Sequence, residues 1–252
     1  VDGLSNNRWG DKTPHHHPRN ILLAKDQLDM QGAKTPSPNV EELIKIGRSV
    51  AKRLDVNPSV QKVAVDKAQI YYSQNFLNPA DCKLLMDIID TEAVPSTLYK
   101  GTELEGYRTS SSCNFDRDNA DIARISQRVA GLLGLDVNNG ETIQGQRYQT
   151  GQQYKQHQDY FHPKTSYWAD EMAGAGQRSW TAMVYLNQPV KGGATVFPTL
   201  GMSVNPRPGM LLAWNNMKVD GTPNPNTLHI GSPVEMGTKY VFTNWFRERR
   251  WA

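Results

Sequence analysis

Cysteine is scarce in this chain, with only Cys82 and Cys113 among 252 residues. Two cysteines cannot build a disulfide framework, and neither sits in a CxxC pair or a zinc-finger spacing. Long hydrophobic runs are missing too. No apolar stretch approaches the ~20 residues of a membrane-spanning helix, and 38% hydrophobic with 21% charged residues is the balance of a soluble globular chain, with no membrane partner expected. Charge of one sign is also lacking: the formal net charge is +3 and the basic residues are spread along the chain, so no nucleic-acid partner is expected. The one local cluster, Arg247, Arg249 and Arg250, reads as a solvated tail. There is no secretory apolar region, which points to a cytoplasmic location, although the chain begins with Val instead of Met. A serine-hydrolase elbow and a Walker loop are absent as well, so nucleophilic acyl transfer and phosphate cradling have no sequence support.

What is present falls into two halves. Residues 1–39 are rich in Asn, Pro, His, Gly and Lys with only Ile21-Leu22-Leu23 to bury, so an irregular arm is expected. Its His15-His16-His17 run is not expected to hold a metal, because three successive histidines cannot easily face one ion. From Val40 an amphipathic stripe of Leu43, Ile44, Gly47, Val50, Ala51 and Leu54 predicts a helix ending near Asp55. Asn78-Pro79 supplies an N-cap and a first-turn proline for a second helix that buries Cys82, Leu85, Met86 and Ile89. A third helix is predicted from about Asp118. Beyond Gly140 the helical period gives way to short β-rich runs: Thr142–Tyr148, Ser179–Leu186, Ala194–Pro198, Met210–Trp214 and Lys239–Arg247. Gly192-Gly193 lies between two of them and suits a hairpin. The predicted organisation is an N-terminal extension over 1–69 with one amphipathic helix, followed by a single β-rich catalytic domain over 70–252.

The chemistry concentrates in this second half. His157 and Asp159 are two residues apart, so on extended backbone both project to one face. His229 follows 72 residues later, just before the final strand. Two histidines and one carboxylate form a facial triad that leaves positions open on ferrous iron, whereas a closed structural zinc site would want a fourth protein ligand. HxD alone is a weak signal, and its company strengthens it. The last strand places Lys239, Val241, Thr243, Trp245 and Arg247 on one face. Burying an unpaired ammonium costs several kcal/mol, so a lysine on an interior face calls for a bound anion such as the far carboxylate of a dicarboxylic acid.

Five stretches carry a resemblance to a known family: Arg108-Thr109-Ser110-Ser111-Ser112, Tyr148 to Tyr154, His157-Gln158-Asp159-Tyr160-Phe161, Gly192-Gly193-Ala194-Thr195-Val196-Phe197-Pro198, and Leu228-His229-Ile230-Gly231-Ser232-Pro233 to Lys239. In this order and spacing, over roughly residues 70 to 248, the chain resembles the prolyl 4-hydroxylases. The resemblance implies a mainly β fold with supporting helices (α+β), built on a double-stranded β-helix or jelly-roll core. It implies Fe(II) on His157, Asp159 and His229, and 2-oxoglutarate anchored by Lys239 with help from hydroxyls at Tyr148 and Thr195. Dioxygen is the second co-substrate and ascorbate the reductant. Arg178, Trp245, Tyr160 and Arg247 match positions near the substrate, though many members carry histidine where this chain has Arg247. The expected activity is hydroxylation of a proline-containing peptide or protein, coupled to decarboxylation of 2-oxoglutarate to succinate and carbon dioxide. A related enzyme acting on a free amino acid, or a non-catalytic metal-bearing jelly roll, stays open as an alternative. A small closed pocket around Arg178 would favour the small molecule, and a groove flanked by mobile loops at Tyr99–Gly106 and Phe161–Gly176 would favour a peptide.

Overall fold

The computed structural model describes residues 37–98 and 105–251. The predicted irregular arm up to residue 36, with His15-His16-His17, and residues 99–104 of the first flanking loop lie outside the described residues.

Helix α1 (Val40–Asp55) starts where the sequence indicates, because the Asn39 side chain accepts the Glu42 N–H at 3.1 Å. Acidic Glu41 and Glu42 in its first turn and basic Lys52 and Arg53 in its last complement the helix dipole. Its buried face is Leu43, Ile46, Gly47, Val50, Ala51 and Leu54, so Ile46 takes the inward place expected for Ile44. Helix α2 (Pro79–Glu92) is capped by Asn78, which accepts the Asp81 N–H at 2.8 Å. Helix α3 (Ala120–Leu133) begins slightly later than expected, because the Asp118 N–H turns back onto Asp116 and Asn119 does the capping. A short helix, α4 (Trp168–Ala173), is an addition to the sequence reading.

The strands are β1 (Gln61–Lys62), β2 (Ile70–Ser73), β3 (Val94–Pro95), β4 (Ser111–Asn114), β5 (Gln144–Tyr148), β6 (Tyr154–His157) and β7 (Arg178–Tyr185). They continue as β8 (Lys191–Gly192), β9 (Thr195–Phe197), β10 (Met202–Val204), β11 (Leu211–Asn215), β12 (His229–Gly231), β13 (Val234–Met236) and β14 (Lys239–Arg247). Eight of them form one sheet in the order β1-β2-β11-β7-β14-β5-β4-β3, and β10-β9-β12-β6 form a second. Every pairing is antiparallel.

Alternation along β7 and β14 decides what each face meets. Trp180, Ala182, Val184, Phe242 and Phe246 pack with Val50, Leu54, Leu85, Ile89, Ile125 and Val129 of the helices. Met183, Tyr185 and Val241 turn the other way, into a second cluster with Phe197 and Trp214. Two facing antiparallel sheets with helices outside one of them make a jelly roll, a mainly β fold with supporting helices. Helix α1, placed by the sequence in an extension ending at residue 69, shares one core with Trp180 and Phe246 through Ile46, Val50 and Leu54.

Gly192 and Gly193 correct one expectation. Both have positive φ, 79° and 74°, but β7 and β9 do not pair, so this is a crossover between sheets and not a hairpin. Its glycines are there for close approach: a Cβ on Gly192 would lie 2.5 Å from the Pro233 carbonyl oxygen, and one on Gly193 would lie 3.2 Å from Cδ of Lys239. Cys82 is buried, as expected, and both cysteines are free. Burial pushes the Cys113 thiol up to about 11, so it is not a thiolate at neutral pH.

Candidate metal centre and co-substrate cavity

A cavity of about 810 Å³ opens between the two sheets. Strand β6 ends at His157, β12 begins at His229, and the two residues are direct cross-strand partners. The ligand atoms of His157, Asp159 and His229 all lie within 4.8 Å of one another, the only such cluster among the described residues. Nε2 of each histidine is 3.9 Å from Oδ1 of Asp159.

The hydrogen bonds around the triad set its chemistry. Nδ1 of His157 is 2.8 Å from the Lys155 carbonyl and Nδ1 of His229 is 3.0 Å from the Thr227 carbonyl. A carbonyl can only accept, so each Nδ1 carries the proton and, in the neutral imidazole, each Nε2 presents a lone pair. Burial, reinforced by the neighbouring His229 imidazole, pushes the His157 imidazole down to about 3. Burial alone would raise the Asp159 carboxyl, but the two imidazoles, Arg178 and the Thr181 hydroxyl outweigh it and hold it below its ordinary value. Two lone pairs and a carboxylate oxygen thus converge with no proton between them. A cation resolves that arrangement, and the donor set is the one that suits ferrous iron with positions left open.

Lys239 lies in the same cavity, 3% exposed. Its ammonium sits 5.3 Å and 5.4 Å from the ring centres of Tyr148 and Tyr185. Burial alone pushes its pKa down to about 7, and no carboxylate among the described residues offsets this. Tyr148 donates to Gln146 at 3.0 Å, and Thr195 accepts from Tyr185 at 2.7 Å. Tyr185 is a residue the sequence reading missed. Gln144, Gln146 and Tyr148 alternate along β5 and all line the cavity, opposite Val241 and Thr243 of β14.

Arg178, Trp245 and Tyr160 line the other end of the cavity. The Arg178 guanidinium is held by both oxygens of Glu141, at 2.6 Å and 2.7 Å, and lies over the Trp245 indole at 4.3 Å. Arg247 departs from both sequence expectations. It is neither in a solvated tail nor among the cavity-lining residues: at 2% exposure it donates to Glu141, Glu171 and the Gly176 carbonyl. A bulge between Phe246 and Arg247 breaks the strand alternation that would have set it beside Trp245. Arg249 similarly donates to the Met172 and Gly174 carbonyls. Phe161 has its N–H and carbonyl on Gln177, at 2.7 Å and 2.9 Å. The Phe161–Gly176 segment, expected as a mobile flank, is therefore strapped down at both ends.

Residues 143–247 match the 2OG-Fe(II) oxygenase superfamily. Prolyl 4-hydroxylase 2 of Arabidopsis thaliana is 30% identical over 216 residues, covering 75% of this chain and 71% of the relative. The human prolyl 4-hydroxylase subunit alpha-1 is 32% identical over 197 residues, covering 76% of this chain. The chain spans only 37% of the length of that subunit. Among solved structures, a viral collagen prolyl hydroxylase from Paramecium bursaria Chlorella virus-1, in its 2OG complex, superposes with a TM-score of 0.55 at 26% identity. That match covers 77% of this chain and 98% of the viral one. The chain belongs to the prolyl 4-hydroxylase family of 2OG-Fe(II) oxygenases.

Proposed function

We propose that the protein is an iron(II)- and 2-oxoglutarate-dependent dioxygenase that hydroxylates peptidyl proline. The observation that carries this reading is the pairing, inside one cavity, of the His157–Asp159–His229 cluster with a buried Lys239 that has no carboxylate partner among the described residues. The triad would hold Fe(II), which when bound supplies the dioxygen chemistry that oxidises an unactivated carbon as 2-oxoglutarate loses carbon dioxide; ascorbate would act as the reductant. Lys239 would bind the far carboxylate of 2-oxoglutarate, with the Tyr148 and Thr195 hydroxyls beside it. The two backbone carbonyls on the Nδ1 atoms keep both imidazoles in the ligating tautomer.

A peptide fits the substrate end better than a free amino acid. The Arg178 guanidinium is already matched by Glu141, so it does not wait for the carboxylate of a free amino acid. The lining extends from buried Lys239 outward to Tyr160 and to Trp251, which is 40% exposed. The Trp245 indole lines this end of the cavity, and its buried N–H has no acceptor among the described residues. Succinate release under air with Fe(II) and ascorbate, compared across proline-containing peptides and free proline, tests this choice. Peptide-stimulated release is expected. Stimulation by free proline alone would move the assignment to a small-molecule hydroxylase, and metal uptake with no turnover would favour a binding module.

A further inference from the structure

We infer that Thr181 and Asn216 are positioning residues that fix Asp159 as a single-oxygen metal ligand. The inference rests on the reading of the triad as a metal centre. Oδ1 of Asp159 faces both histidine Nε2 atoms, while Oδ2 points away and accepts the Thr181 hydroxyl at 2.7 Å. The Thr181 oxygen in turn accepts from Nδ2 of Asn216 at 2.9 Å. Because an amide N–H can only donate, the single hydroxyl proton of Thr181 is committed to the carboxylate. The chain thus has one direction: amide to hydroxyl to Oδ2.

Burial gives this chain its force. Thr181 and Asn216 are fully buried and Asp159 is 6% exposed, so little water competes and each bond acts in a medium of low polarity. Asn216 is fixed by its own backbone, whose N–H donates to Ser179 at 2.8 Å and whose carbonyl accepts from Asn224 at 2.9 Å. Its side-chain oxygen is buried with no partner among the described residues. An orphaned buried acceptor costs roughly 1–3 kcal/mol, which is hard to reconcile with an amide placed only for stability and fits one placed to donate to Thr181.

The consequence is chemical. A carboxylate free to rotate can chelate through both oxygens and take up a further position on the metal. With Oδ2 engaged by Thr181, Asp159 offers Oδ1 alone, and positions stay open for co-substrate and dioxygen.

The test is metal affinity, which needs neither turnover nor peptide. Mn(II) binding to the metal-free protein would be measured by calorimetry for wild type, Thr181→Val, Thr181→Ser and Asn216→Ala, each checked for folding by thermal melting. Thr181→Val is expected to weaken Mn(II) by about 10- to 100-fold, Asn216→Ala by about 3- to 10-fold, and Thr181→Ser, which restores the hydroxyl, by less than about 3-fold. If Thr181→Val does not fold, the contrast between Asn216→Ala and Thr181→Ser carries the test. Affinities within about twofold across all folded variants would overturn the inference while leaving the metal centre intact. A wild-type protein that takes up no Mn(II) would overturn the metal reading itself, and the inference with it.

Discussion

Replacing Lys239 with methionine separates two effects that usually move together. The substitution keeps the length and apolar stem of the side chain and deletes the charge. That ammonium has no anionic partner among the described residues, and burial pushes its pKa down to about 7 from an ordinary 10.5. Between pH 7 and 10.5 the unfolded chain holds a proton that the folded chain has largely released, so stability rises with pH through that window; below pH 7 the full penalty applies. At neutral pH the lowered pKa sets the penalty at up to roughly 4 kcal/mol. Lys239→Met is therefore expected to stabilise the ligand-free protein by roughly 1–4 kcal/mol, or several degrees in Tm for a chain of this size. The same change removes the cation placed for the far carboxylate, so 2-oxoglutarate affinity should fall by roughly 2–5 kcal/mol, about 30-fold or more. Melting curves with and without 2-oxoglutarate, on protein loaded with a redox-inert metal, read both quantities. A variant that melts lower than wild type without ligand, yet binds 2-oxoglutarate equally well, would refute the reasoning.

Three further perturbations follow from the same geometry. Gly193→Ala combines a φ of 74° with a Cβ 3.2 Å from both Cδ of Lys239 and Cγ of Pro189, so it should lose roughly 1–2 kcal/mol of stability and weaken 2-oxoglutarate binding; unchanged titrations would count against it. Arg247→Leu leaves Glu171 without its buried partner, reduces Glu141 to its pairing with Arg178 and frees the Gly176 carbonyl, with an expected loss of roughly 3–5 kcal/mol. Hydrogen exchange should then rise selectively over residues 161–176, and uniform exchange across the protein would contradict the strapping role. The third perturbation is acid. Burial pushes the His157 imidazole down to about 3 from an ordinary 6.5, so in that window only the unfolded chain binds the proton and metal-free stability is lost as the pH falls, by roughly 2–3 kcal/mol at pH 4.5. Above pH 6.5 this contribution is constant. His157→Asn should flatten the acid limb, and an unaltered slope would show that other groups dominate it.

The final strand was the most legible part of the fold. Lys239, Val241, Thr243 and Trp245 alternate with Tyr240, Phe242, Asn244 and Phe246, and that period of two holds as far as the strand stays regular. The candidate metal ligands could be seen for a related reason, since HxD on extended backbone shares a face wherever the strand lies. Arg247 could not be placed, because the bulge that diverts it forms only when β14 pairs with β7. Strand β6 was missed because Tyr154–His157 is polar and has no apolar alternation; pairing with β12 makes it a strand. Thr181, Tyr185 and Asn216 lie in or beside strands buried on both faces, where no polarity pattern separates a residue that packs from one that orients a ligand. Their roles depend on contacts with Asp159, Thr195 and Lys239, and those partners are distant in sequence.

The most direct test of the central claim is the stoichiometry of one reaction mixture. Purified protein, Fe(II), 2-oxoglutarate, ascorbate and a proline-containing peptide are incubated under air, with succinate and peptide mass followed together. A dioxygenase of the proposed kind gives one succinate for each proline that gains a single oxygen, and an Asp159→Ala protein gives neither. Succinate formed without any gain of oxygen on the peptide, or oxygen gained without 2-oxoglutarate, would contradict the account.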